Sequence, residues 1–555
     1  MDQKAILCDT NLIFFLLLLL LVPLFYLYLK HILSKSPPLP PGPFAWPIIG
    51  NIFQMGRQLH SILANFASVH GPIMSLRLGT QISIIASSQA ASREILPPGP
   101  KPWPIIGNIL QMGKKPHLSM THFAQVHGPL ISLRLGTQLL VIGSSSTAAI
   151  EILKTHDRLL SARYVPQLIP YDDSVLHGMS LIWASGCTDK WKFLRALCRT
   201  ELFSAKAIES QAILREKKVG EMVDFLGSKE GKIVNIGEIV FTTIFNTLAN
   251  LFFSKDFLDF NQGEASGLKG MIRRVMQLAT TPNIADFYPI FAGLDLQGLK
   301  KKAFKFINEM YGVWEVLIKE RRENHGYDVV KKLDFLDVFL ANGFTDDQIN
   351  TLVNELFTAG TDTTTSTIEW ALAELLKNKE ALNKLQDELN KEINTSSVKE
   401  SHISQLPYLQ ACVKETLRLH PPAPFLLPHR ALETCEVMNY TIPKNSQVLV
   451  NVWAIGRDPT IWEDHLSFKP ERFLGLNLDF KGHDYEFLPF GSGRRICPGL
   501  PMATKQVQLI LASLVHCFDW SLPNGENPTT LDMNEKFGIT LQKEQPLLVI
   551  AKQKL

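Results

Sequence analysis

The chain has 555 residues, 46% of them hydrophobic and 20% charged, with a formal net charge of +3. This is the composition of a globular protein with a sizeable core, and a charge so near zero argues against a nucleic-acid partner. Seven cysteines are dispersed without any C-x-x-C pair, which argues against a disulfide framework or a zinc site and favours a reducing compartment.

The N-terminal segment predicts a membrane anchor. Residues 12–29 contain no charge, and this run is near the lower limit for a helix that spans a bilayer. No small-residue cleavage site follows it, as a removable signal peptide requires, and Lys30, His31 and Lys35 place positive charge on the side of the main body. We predict that residues 1–29 are a retained anchor with a single transmembrane helix at 12–29, in the endoplasmic reticulum membrane, with the rest cytosolic.

A basic and proline-rich hinge at residues 30–43 follows, and prolines of this density form a stiff, extended spacer. The chain then repeats itself. Residues 41–96 align without a gap on residues 98–153 at a constant offset of 57, and 34 of the 56 positions are identical. Two copies are too few for a solenoid. We predict that 98–555 is the functional domain and that 41–96 is a supernumerary duplicated segment that packs poorly.

The second copy contains a predicted β-hairpin, because the apolar runs 131–135 and 139–142 flank a turn at 136–138. Beyond it the hydrophobic periodicity is mostly helical, with few strands. The sequence therefore predicts a mainly α fold with small β-sheets, preceded by the single transmembrane helix.

Three polar patterns lie on the predicted helices. Trp191 and Arg195 are four residues apart and share a helical face. A capping box at 345–348 opens a helix that carries Asp362 and Thr363 between apolar flanks, after Ala359 and a glycine that weakens the helix by about 1 kcal/mol.

A third helix carries the third pattern, Glu415 and Arg418 at a spacing of three, and Arg472 follows later in the chain. Considered singly, the first two residues form an ordinary surface ion pair.

The segment 489–499 contains the strongest pattern. Cys497 lies in a glycine-rich loop before an apolar helix, where backbone N–H groups favour a metal-binding thiolate. Gly493 and Gly499 let the backbone approach a flat cofactor, and the guanidinium of Arg495 suits a carboxylate. A buried free thiol is the alternative for a single cysteine, but the five positions Phe490, Gly493, Arg495, Cys497 and Gly499 together outweigh it.

This loop resembles the haem-binding loop of the cytochrome P450 superfamily, and the resemblance extends over the chain except for the duplicated block. It implies haem b as cofactor, with Cys497 as the axial thiolate ligand and metal ligand of a haem-thiolate catalytic domain. It further implies that Trp191, Arg195, Phe490, Gly493, Arg495 and Gly499 bind the cofactor.

The same resemblance implies roles for the helical patterns. Asp362 and Thr363 are the catalytic residues that deliver protons during oxygen activation. Glu415, Arg418 and Arg472 form a buried structural triad. The chain is then a monooxygenase that uses O2 and electrons from NADPH to oxidise a small apolar or aromatic molecule. Because no dinucleotide-binding fingerprint is found, the electrons must come from a partner. The resemblance implies that this partner is NADPH–cytochrome P450 reductase, docking near the positively charged residues Lys192, Arg494 and Lys505.

The local sequences at 430–435, 439–444 and 198–203 resemble plant benzylisoquinoline-alkaloid enzymes of the N-methylcoclaurine 3'-hydroxylase and corytuberine synthase types. Geraniol 8-hydroxylases are the group that neighbours these enzymes in the family. Because phenol-coupling members tend to carry proline where this chain has Ala359, the resemblance favours aromatic hydroxylation. It implies a pocket formed in part by Ala359, Phe425, Leu426 and Ile539.

Several alternatives stay open. They are intramolecular phenol coupling, hydroxylation of a monoterpenol such as geraniol, an isomerase that needs no reductase, and a non-catalytic or misfolded haem-binding product of a duplicated gene. A cationic alkaloid would also require a carboxylate, for which Asp172, Asp173 and Glu355 are candidates.

Overall fold

The computed structural model describes residues 41–45, 51, 54, 59–71, 73–78, 81–86, 96–169, 180–261, 267–279, 281–324, 334–394 and 397–554. The predicted transmembrane helix at 12–29 and most of the hinge lie outside these residues. The chain divides into two compact units, Met1–Ile95 and Leu96–Leu555.

Among its described residues, the first unit contains one helix and one hairpin, namely α1 (Leu59–His70), β1 (Ile73–Leu78) and β2 (Gln81–Ala86). Within the described residues, β1 and β2 pair only with each other. The side chain of Asn51 fixes the start of this copy, because its Oδ1 accepts a hydrogen bond of 2.7 Å from the backbone N–H of Arg77.

The second unit begins with the same local structure, formed by α2 (Pro116–His127), β3 (Leu130–Leu135) and β4 (Gln138–Gly143). Its hairpin has the register of the first hairpin, shifted by 57 residues, and Asn108 binds the backbone N–H of Arg134 at the same 2.7 Å. The predicted hairpin is confirmed. Its turn is tight because Gly136 adopts a left-handed backbone with φ of 60°.

Here the hairpin joins a larger sheet. Its partners are β5 (Ala162–Arg163), β7 (His429–Arg430) and β10 (Gln447–Val450), in the order β3-β4-β10-β7-β5. β10 runs parallel to β4 and antiparallel to β7. The place beside β10 is therefore filled by the second copy of the repeat.

The smaller sheets also belong to the second unit. Their strands are β6 (Ile233–Asn235), β8 (Cys435–Val437), β9 (Tyr440–Ile442), β11 (Phe518–Ser521), β12 (Glu535–Lys536), β13 (Gln542–Lys543) and β14 (Leu548–Gln553). A three-stranded sheet has the order β11-β14-β6, and β8-β9 and β12-β13 form two separate hairpins.

The second unit is mainly helical, as the sequence predicted. Its remaining α-helices are α3 (Ser146–Ile150), α4 (Asp157–Leu160), α5 (Asp189–Glu201), α6 (Ala205–Ser210), α7 (Ala212–Ser228), α8 (Ile236–Phe253), α9 (Gly267–Ala279), α10 (Ile284–Phe287), α11 (Leu299–Asn324), α12 (Phe335–Ala341), α13 (Asp346–Lys377), α14 (Lys379–Glu392), α15 (Pro407–Leu419), α16 (Val452–Ile455), α17 (Arg472–Gly475) and α18 (Leu500–Cys517).

The main core lies where α8, α13 and α18 pack together, and most side chains of these three helices are fully buried. Among the described residues, α8 is the one helix long and apolar enough to cross a membrane, but 89% of it is buried inside the protein. α8 is therefore a core helix.

Helix α13 begins with the predicted capping box, which is confirmed. The Thr345 hydroxyl accepts a hydrogen bond from the backbone N–H of Gln348, and the Gln348 side chain accepts one from the backbone N–H of Thr345. These bonds satisfy two donors that a helix N-terminus otherwise leaves free. The helix then continues without a break through Gly360 to Lys377, and its middle faces the cavity described next.

Candidate active site

A cavity of about 350 Å³ lies in the second unit, between the middle of α13 and the loop before α18. Its lining comes from elements that are far apart in the sequence. Ala359 and Thr363 come from α13, Cys497 comes from the loop, and Leu426 and Ile539 come from two further segments. We call it the α13 cavity.

Cys497 lies in the wall of this cavity, three residues before α18, and its backbone N–H donates to the carbonyl of Phe490 at 3.0 Å. Burial raises the pKa of the Cys497 thiol, while the backbone N–H groups of Gly499 and Leu500 and the charge of Arg195 act in the opposite direction. The donors that the sequence predicted are present, but burial outweighs them. A bound metal cation would favour the thiolate form of this sulfur.

The other loop residues divide into two groups. Phe490 and Gly499 line the α13 cavity. Gly493 is not among the described residues that line it, and its predicted role in binding the cofactor stays a prediction. Its φ is 66°, and a Cβ at this position would lie 2.3 Å from the carbonyl oxygen of Leu153. The packing of the loop on the chain before α4 therefore requires this glycine.

Three guanidinium groups line the cavity, those of Arg163, Arg195 and Arg495. Burial lowers the pKa of each, and the charge of Arg495 contributes to lowering that of Arg163 to about 9. No ion pair joins any of the three to a carboxylate within the described residues, and the Nη1 atom of Arg495 is buried without a hydrogen-bond partner. Carboxylates of a bound group would satisfy these charges.

Trp191 is not among the described residues that line the cavity, and its predicted contact with the cofactor stays a prediction. Its indole N–H donates to the carbonyl of Leu181 at 3.0 Å. Its ring centre lies 4.4 Å from the guanidinium carbon of Arg495 and 5.3 Å from that of Arg195. Trp191 therefore holds two of the guanidinium groups in place through cation–π contacts.

Neither Arg163 nor His429 was predicted to bind the cofactor, and the two residues lie opposite each other on the paired strands β5 and β7. Both line the cavity. The Nδ1 atom of His429 is 2.6 Å from the carbonyl oxygen of Leu160, and burial, followed by the charge of Arg163, lowers the pKa of His429 to about 3. Each strand has only two residues, so no alternation pattern marked them.

Thr363 and Asp362 are neighbours in sequence but lie on different sides of α13. Thr363 lines the α13 cavity, and its hydroxyl donates to the carbonyl of Ala359 at 2.7 Å. Asp362 lines a second cavity of about 350 Å³, together with Arg273 and Glu369. Burial raises the pKa of Asp362 to about 6, against the opposing charge of Arg273.

Of the predicted pocket residues, Ala359, Leu426 and Ile539 line the α13 cavity. Phe425 does not, and its predicted place in the substrate pocket stays a prediction. The chain turns at Leu426, whose φ is 55°. Phe425 is buried instead in a separate apolar cluster, where its ring lies 5.9 Å from that of Phe537.

Glu355 is the one acidic residue in the described lining of the α13 cavity. Its carboxylate accepts hydrogen bonds from the Ser180 hydroxyl and from the backbone N–H groups of Leu181 at 2.8 Å and Ile182 at 3.2 Å. Burial nevertheless raises the pKa of Glu355 to about 7. The two other candidate carboxylates, at 172 and 173, lie outside the described residues.

Glu415, Arg418 and Arg472 form one ion-paired cluster. Arg418 donates two hydrogen bonds of 2.8 Å to the two oxygens of the buried Glu415 carboxylate, and Arg472 donates a third of 3.0 Å. Arg418 also donates to the carbonyls of Gly456 and His465. All these groups have partners, as a buried ionic network requires.

The site fits a haem bound through sulfur. A cysteine lies in the cavity wall, three guanidinium groups lack carboxylate partners among the described residues, and a glycine adjoins the cysteine at 499. These groups match an iron-bearing ring that carries two propionates.

Comparison with known proteins gives the same result. A family model described as Cytochrome P450 matches residues 40–96 and 97–550. The chain is 50% identical over 464 residues to (S)-N-methylcoclaurine 3'-hydroxylase isozyme 1 of Eschscholzia californica, covering 83% of this chain and 94% of the relative. It is 49% identical over 462 residues to corytuberine synthase of Coptis japonica (82% and 94% covered) and 42% identical over 464 residues to geraniol 8-hydroxylase of Catharanthus roseus (82% and 93% covered).

Proposed function

The chain belongs to the cytochrome P450 family, and on that premise we propose that it hydroxylates an aromatic ring of a benzylisoquinoline alkaloid. Family membership makes it a haem-thiolate monooxygenase that depends on a redox partner and acts on a small molecule. The observation that carries the choice of substrate is the 50% identity to an N-methylcoclaurine 3'-hydroxylase across 94% of that relative.

Haem bound through a cysteine sulfur supplies the reduction of dioxygen and the insertion of one oxygen atom into a substrate. Cys497 is the proposed ligand, because it alone among the described cysteines lines the α13 cavity. Arg163, Arg195 and Arg495 are the proposed partners of the propionates, since all three line this cavity.

Thr363 and Asp362 are the proposed proton-delivery residues. The Thr363 hydroxyl faces the cavity, and the pKa of about 6 leaves Asp362 partly protonated near neutral pH. Because Asp362 lines the second cavity, delivery to Thr363 requires its side chain to rotate across the helix. An acid with a pKa near the working pH is suited to give and regain a proton in each cycle.

The lining fits an aromatic amine. Ala359, Leu426 and Ile539 offer apolar contacts to the rings. The carboxylate of Glu355 has about four acceptor positions, and three hydrogen bonds occupy part of them. We propose that the remaining acceptor position of Glu355 receives the protonated amine of the alkaloid.

The proposed partner is NADPH–cytochrome P450 reductase, with the chain anchored in the endoplasmic reticulum membrane through residues 12–29. Docking would use the face that carries Lys192, Arg494 and Lys505. Lys192 pairs with Asp189 at 2.8 Å and Arg494 with Asp157 at 3.1 Å, so these carboxylates offset two of the three charges. Attraction to an acidic partner should therefore be modest and should weaken as salt is added.

We also propose that residues 41–96 are supernumerary and that residues 98–555 form the complete catalytic domain. Three observations support this proposal. The family model matches the two copies separately, the chain divides into two units at residue 95, and the second copy forms the sheet with β10.

The test is product analysis in microsomes that contain the chain and the reductase, supplied with NADPH. We expect N-methylcoclaurine to gain one oxygen atom on an aromatic ring. A carbon–carbon or carbon–oxygen coupled product from reticuline would instead support a coupling oxidase, for which the 49% identity to corytuberine synthase is the supporting observation. An oxygenated product from geraniol alone would reject the alkaloid assignment.

The control is Cys497→Ser, which removes the proposed ligand with little change of volume. We expect this variant to lose the spectrum of the reduced carbon-monoxide complex that a thiolate ligand produces, together with all turnover. Cys435→Ser, on β8, should retain both because this residue does not line the cavity. A thiolate-type spectrum in the Cys497→Ser protein would disprove the ligand assignment.

A further inference from the structure

A buried polar cluster lies behind the α13 cavity and centres on Glu535, at the start of the β12-β13 hairpin. Its carboxylate lies 2.9 Å from Nε2 of His117 and accepts hydrogen bonds of 3.2 Å and 3.1 Å from the indole N–H of Trp453. Arg457 donates a further bond of 3.3 Å, and Nδ1 of His420 lies 3.4 Å away. Three other segments of the chain, which contain His117, His420 and the pair Trp453 and Arg457, therefore meet on one carboxylate.

The cluster extends to α13 through His420. The Nε2 atom of His420 lies 2.8 Å from the carboxylate of Glu374, and its Nδ1 atom faces the carboxylate of Glu535 at 3.4 Å, so that this imidazole lies between two buried acids. Its ring stacks on Trp370 with 3.9 Å between centres and 2° between planes. A side chain held by two carboxylates and a parallel indole has little freedom to move.

Burial alone would raise the pKa of Glu535, but hydrogen bonds from His117 and His420 and the charge of Arg457 reverse the effect and hold the pKa below its usual range. Glu535 is therefore ionised at any working pH. Because the ionised carboxylate only accepts hydrogen bonds, it can hold several donors at once. Removing its charge would leave these donors buried with a weaker acceptor.

Two members of the cluster continue directly into the wall of the cavity. His420 precedes the segment 421–427, from which Pro422 and Leu426 line the cavity, and Glu535 begins the hairpin whose tip carries Ile539 and Thr540 in the same lining. The position of each wall segment therefore depends on a residue held by the cluster.

The two wall segments are also bonded to each other and to α13. The backbone N–H of Leu541 donates to the carbonyl of Pro422 at 2.8 Å, and the carbonyl of Leu541 accepts a bond of 2.7 Å from the Ser366 hydroxyl. In the hairpin, the ring of Phe537 stacks on that of His117, 5.6 Å between centres and 12° between planes. A shift at the cluster would therefore move both segments together.

We propose that Glu535 is a positioning residue that sets the substrate-facing wall of the α13 cavity, by fixing the segments 421–427 and 537–541 through His117 and His420. The role differs from those of Cys497, Thr363 and Asp362, because Glu535 does not line this cavity. It rests on the proposed function only in that the cavity accepts an organic ligand above a haem.

The test compares two ligands that bind haem iron through an imidazole nitrogen in the purified holoenzyme, and both are measured by absorbance titration. Unsubstituted imidazole is too small to contact much of the cavity wall. A bulky triaryl-substituted imidazole must pack its rings against this wall in order to bind. We expect Glu535→Gln to bind the bulky ligand about tenfold more weakly, as misfit in an apolar pocket does. Haem content, the carbon-monoxide spectrum and the affinity for imidazole should stay unchanged.

The matched control is Glu544→Gln, which removes an exposed carboxylate that pairs with Lys115 just after the same hairpin. It should leave both affinities unchanged. Trp453→Phe is the milder second variant, because it removes one donor to Glu535 and retains an aromatic ring. It should weaken the binding of the bulky ligand by a smaller factor than Glu535→Gln does, and it should leave the affinity for imidazole unchanged.

Wild-type affinity for both ligands in Glu535→Gln and Trp453→Phe would overturn the proposal. Loss of haem in both variants would also overturn it, since the cluster would then maintain the fold and not the cavity wall. Neither readout depends on the alkaloid, so a negative result with N-methylcoclaurine would reject the proposed substrate and leave this inference standing.

Discussion

At the scale of single residues, Glu355 couples the cavity wall to pH. Burial raises its pKa to about 7, although hydrogen bonds from Ser180, Ile182 and Leu181 act in the opposite direction. In the unfolded chain the same group releases its proton near the ordinary value of 4.5. The folded state therefore loses stability as the pH rises between these two values, by about 1.4 kcal/mol per pH unit.

We expect Glu355→Gln to remove this loss, because an amide does not titrate. The measurement is the melting temperature of both proteins at several pH values between 4.5 and 7, the two pKa values of the carboxyl group. The melting temperature of the variant minus that of the wild type should increase as the pH rises through this window.

A difference that is constant with pH would contradict the assignment of a raised pKa to Glu355. The control is Glu436→Gln, an exposed residue on β8. Its melting temperature should follow that of the wild type, because this side chain is exposed to solvent and loses no buried contact.

The sequence predicted the reactive residue types at this scale, but not always the side on which they lie. Successive residues of a helix point about 100° apart, and for this reason Asp362 and Thr363 face different cavities. Leu426 and Phe425 separate at a turn in the same way. The direction in which a side chain points relative to a cavity depends on tertiary packing. The spacing of residues in the sequence does not reveal it.

At the scale of elements, the loop before α18 is constrained by the backbone of Gly493. Its φ of 66° is unfavourable for any residue with a Cβ, and that atom would lie 2.3 Å from the Leu153 carbonyl oxygen. We expect Gly493→Ala to destabilise the protein by at least about 2 kcal/mol, from backbone strain and the displaced carbonyl together. Thermal unfolding of the holoenzyme measures this loss.

Gly475→Ala provides the matched comparison, because a Cβ at this exposed position meets nothing within 4 Å. It should change the melting temperature little. Equal stability of the two alanine variants would show that the loop adapts to a side chain at 493 and that packing does not require glycine there.

Elements with local signals could be predicted, and those that depend on distant pairing could not. The turn at Gly136 and the capping box at Thr345 each mark a boundary through a specific backbone requirement. By contrast, the pairing of β4 with β10 joins segments about 300 residues apart, and β5 and β7 have two residues each. Nothing near these strands in the sequence specifies their partners.

At the scale of the whole molecule, the fold class followed from the sequence because the loop, the helix with Asp362 and Thr363, and the ion-paired cluster together match one family. The repeat was also visible in the sequence. What the sequence could not give is that both copies form the same helix and hairpin while only the second pairs with β10. The local sequence determines that each copy forms a hairpin. The five-stranded sheet has room for one hairpin beside β10, and β4 of the second copy occupies that position.

The duplicated segment leads to a prediction about deletion of residues 41–97. We expect this shorter chain to bind haem, to show the thiolate-type carbon-monoxide spectrum and to melt within a few degrees of the full chain. The reason is that, among the described residues, β1 and β2 pair only with each other, whereas β3 and β4 form the sheet with β10.

The reciprocal deletion, of residues 98–154, provides the discriminating comparison, because it would place the first copy beside β10. Position 83 of the first copy is serine where Leu140 is 2% exposed, and such a loss of buried apolar volume costs about 2 to 5 kcal/mol. Position 86 is alanine where Gly143 stands, and a Cβ there would lie 2.7 Å from Cδ1 of Ile152. The first copy is thus less suited to this place although its hairpin is identical in register.

We therefore expect the chain without 98–154 to yield little haem-bound protein and to melt well below the chain without 41–97. The two shortened chains are compared by their haem content per protein and their melting temperatures, measured in membranes prepared in the same way. If both shortened chains bound haem equally well, either copy could fill the sheet, and the assignment of 41–96 as the supernumerary copy would be wrong. If only the full chain bound haem, residues 41–96 would be part of the catalytic domain, because the second copy alone would then be insufficient to complete it.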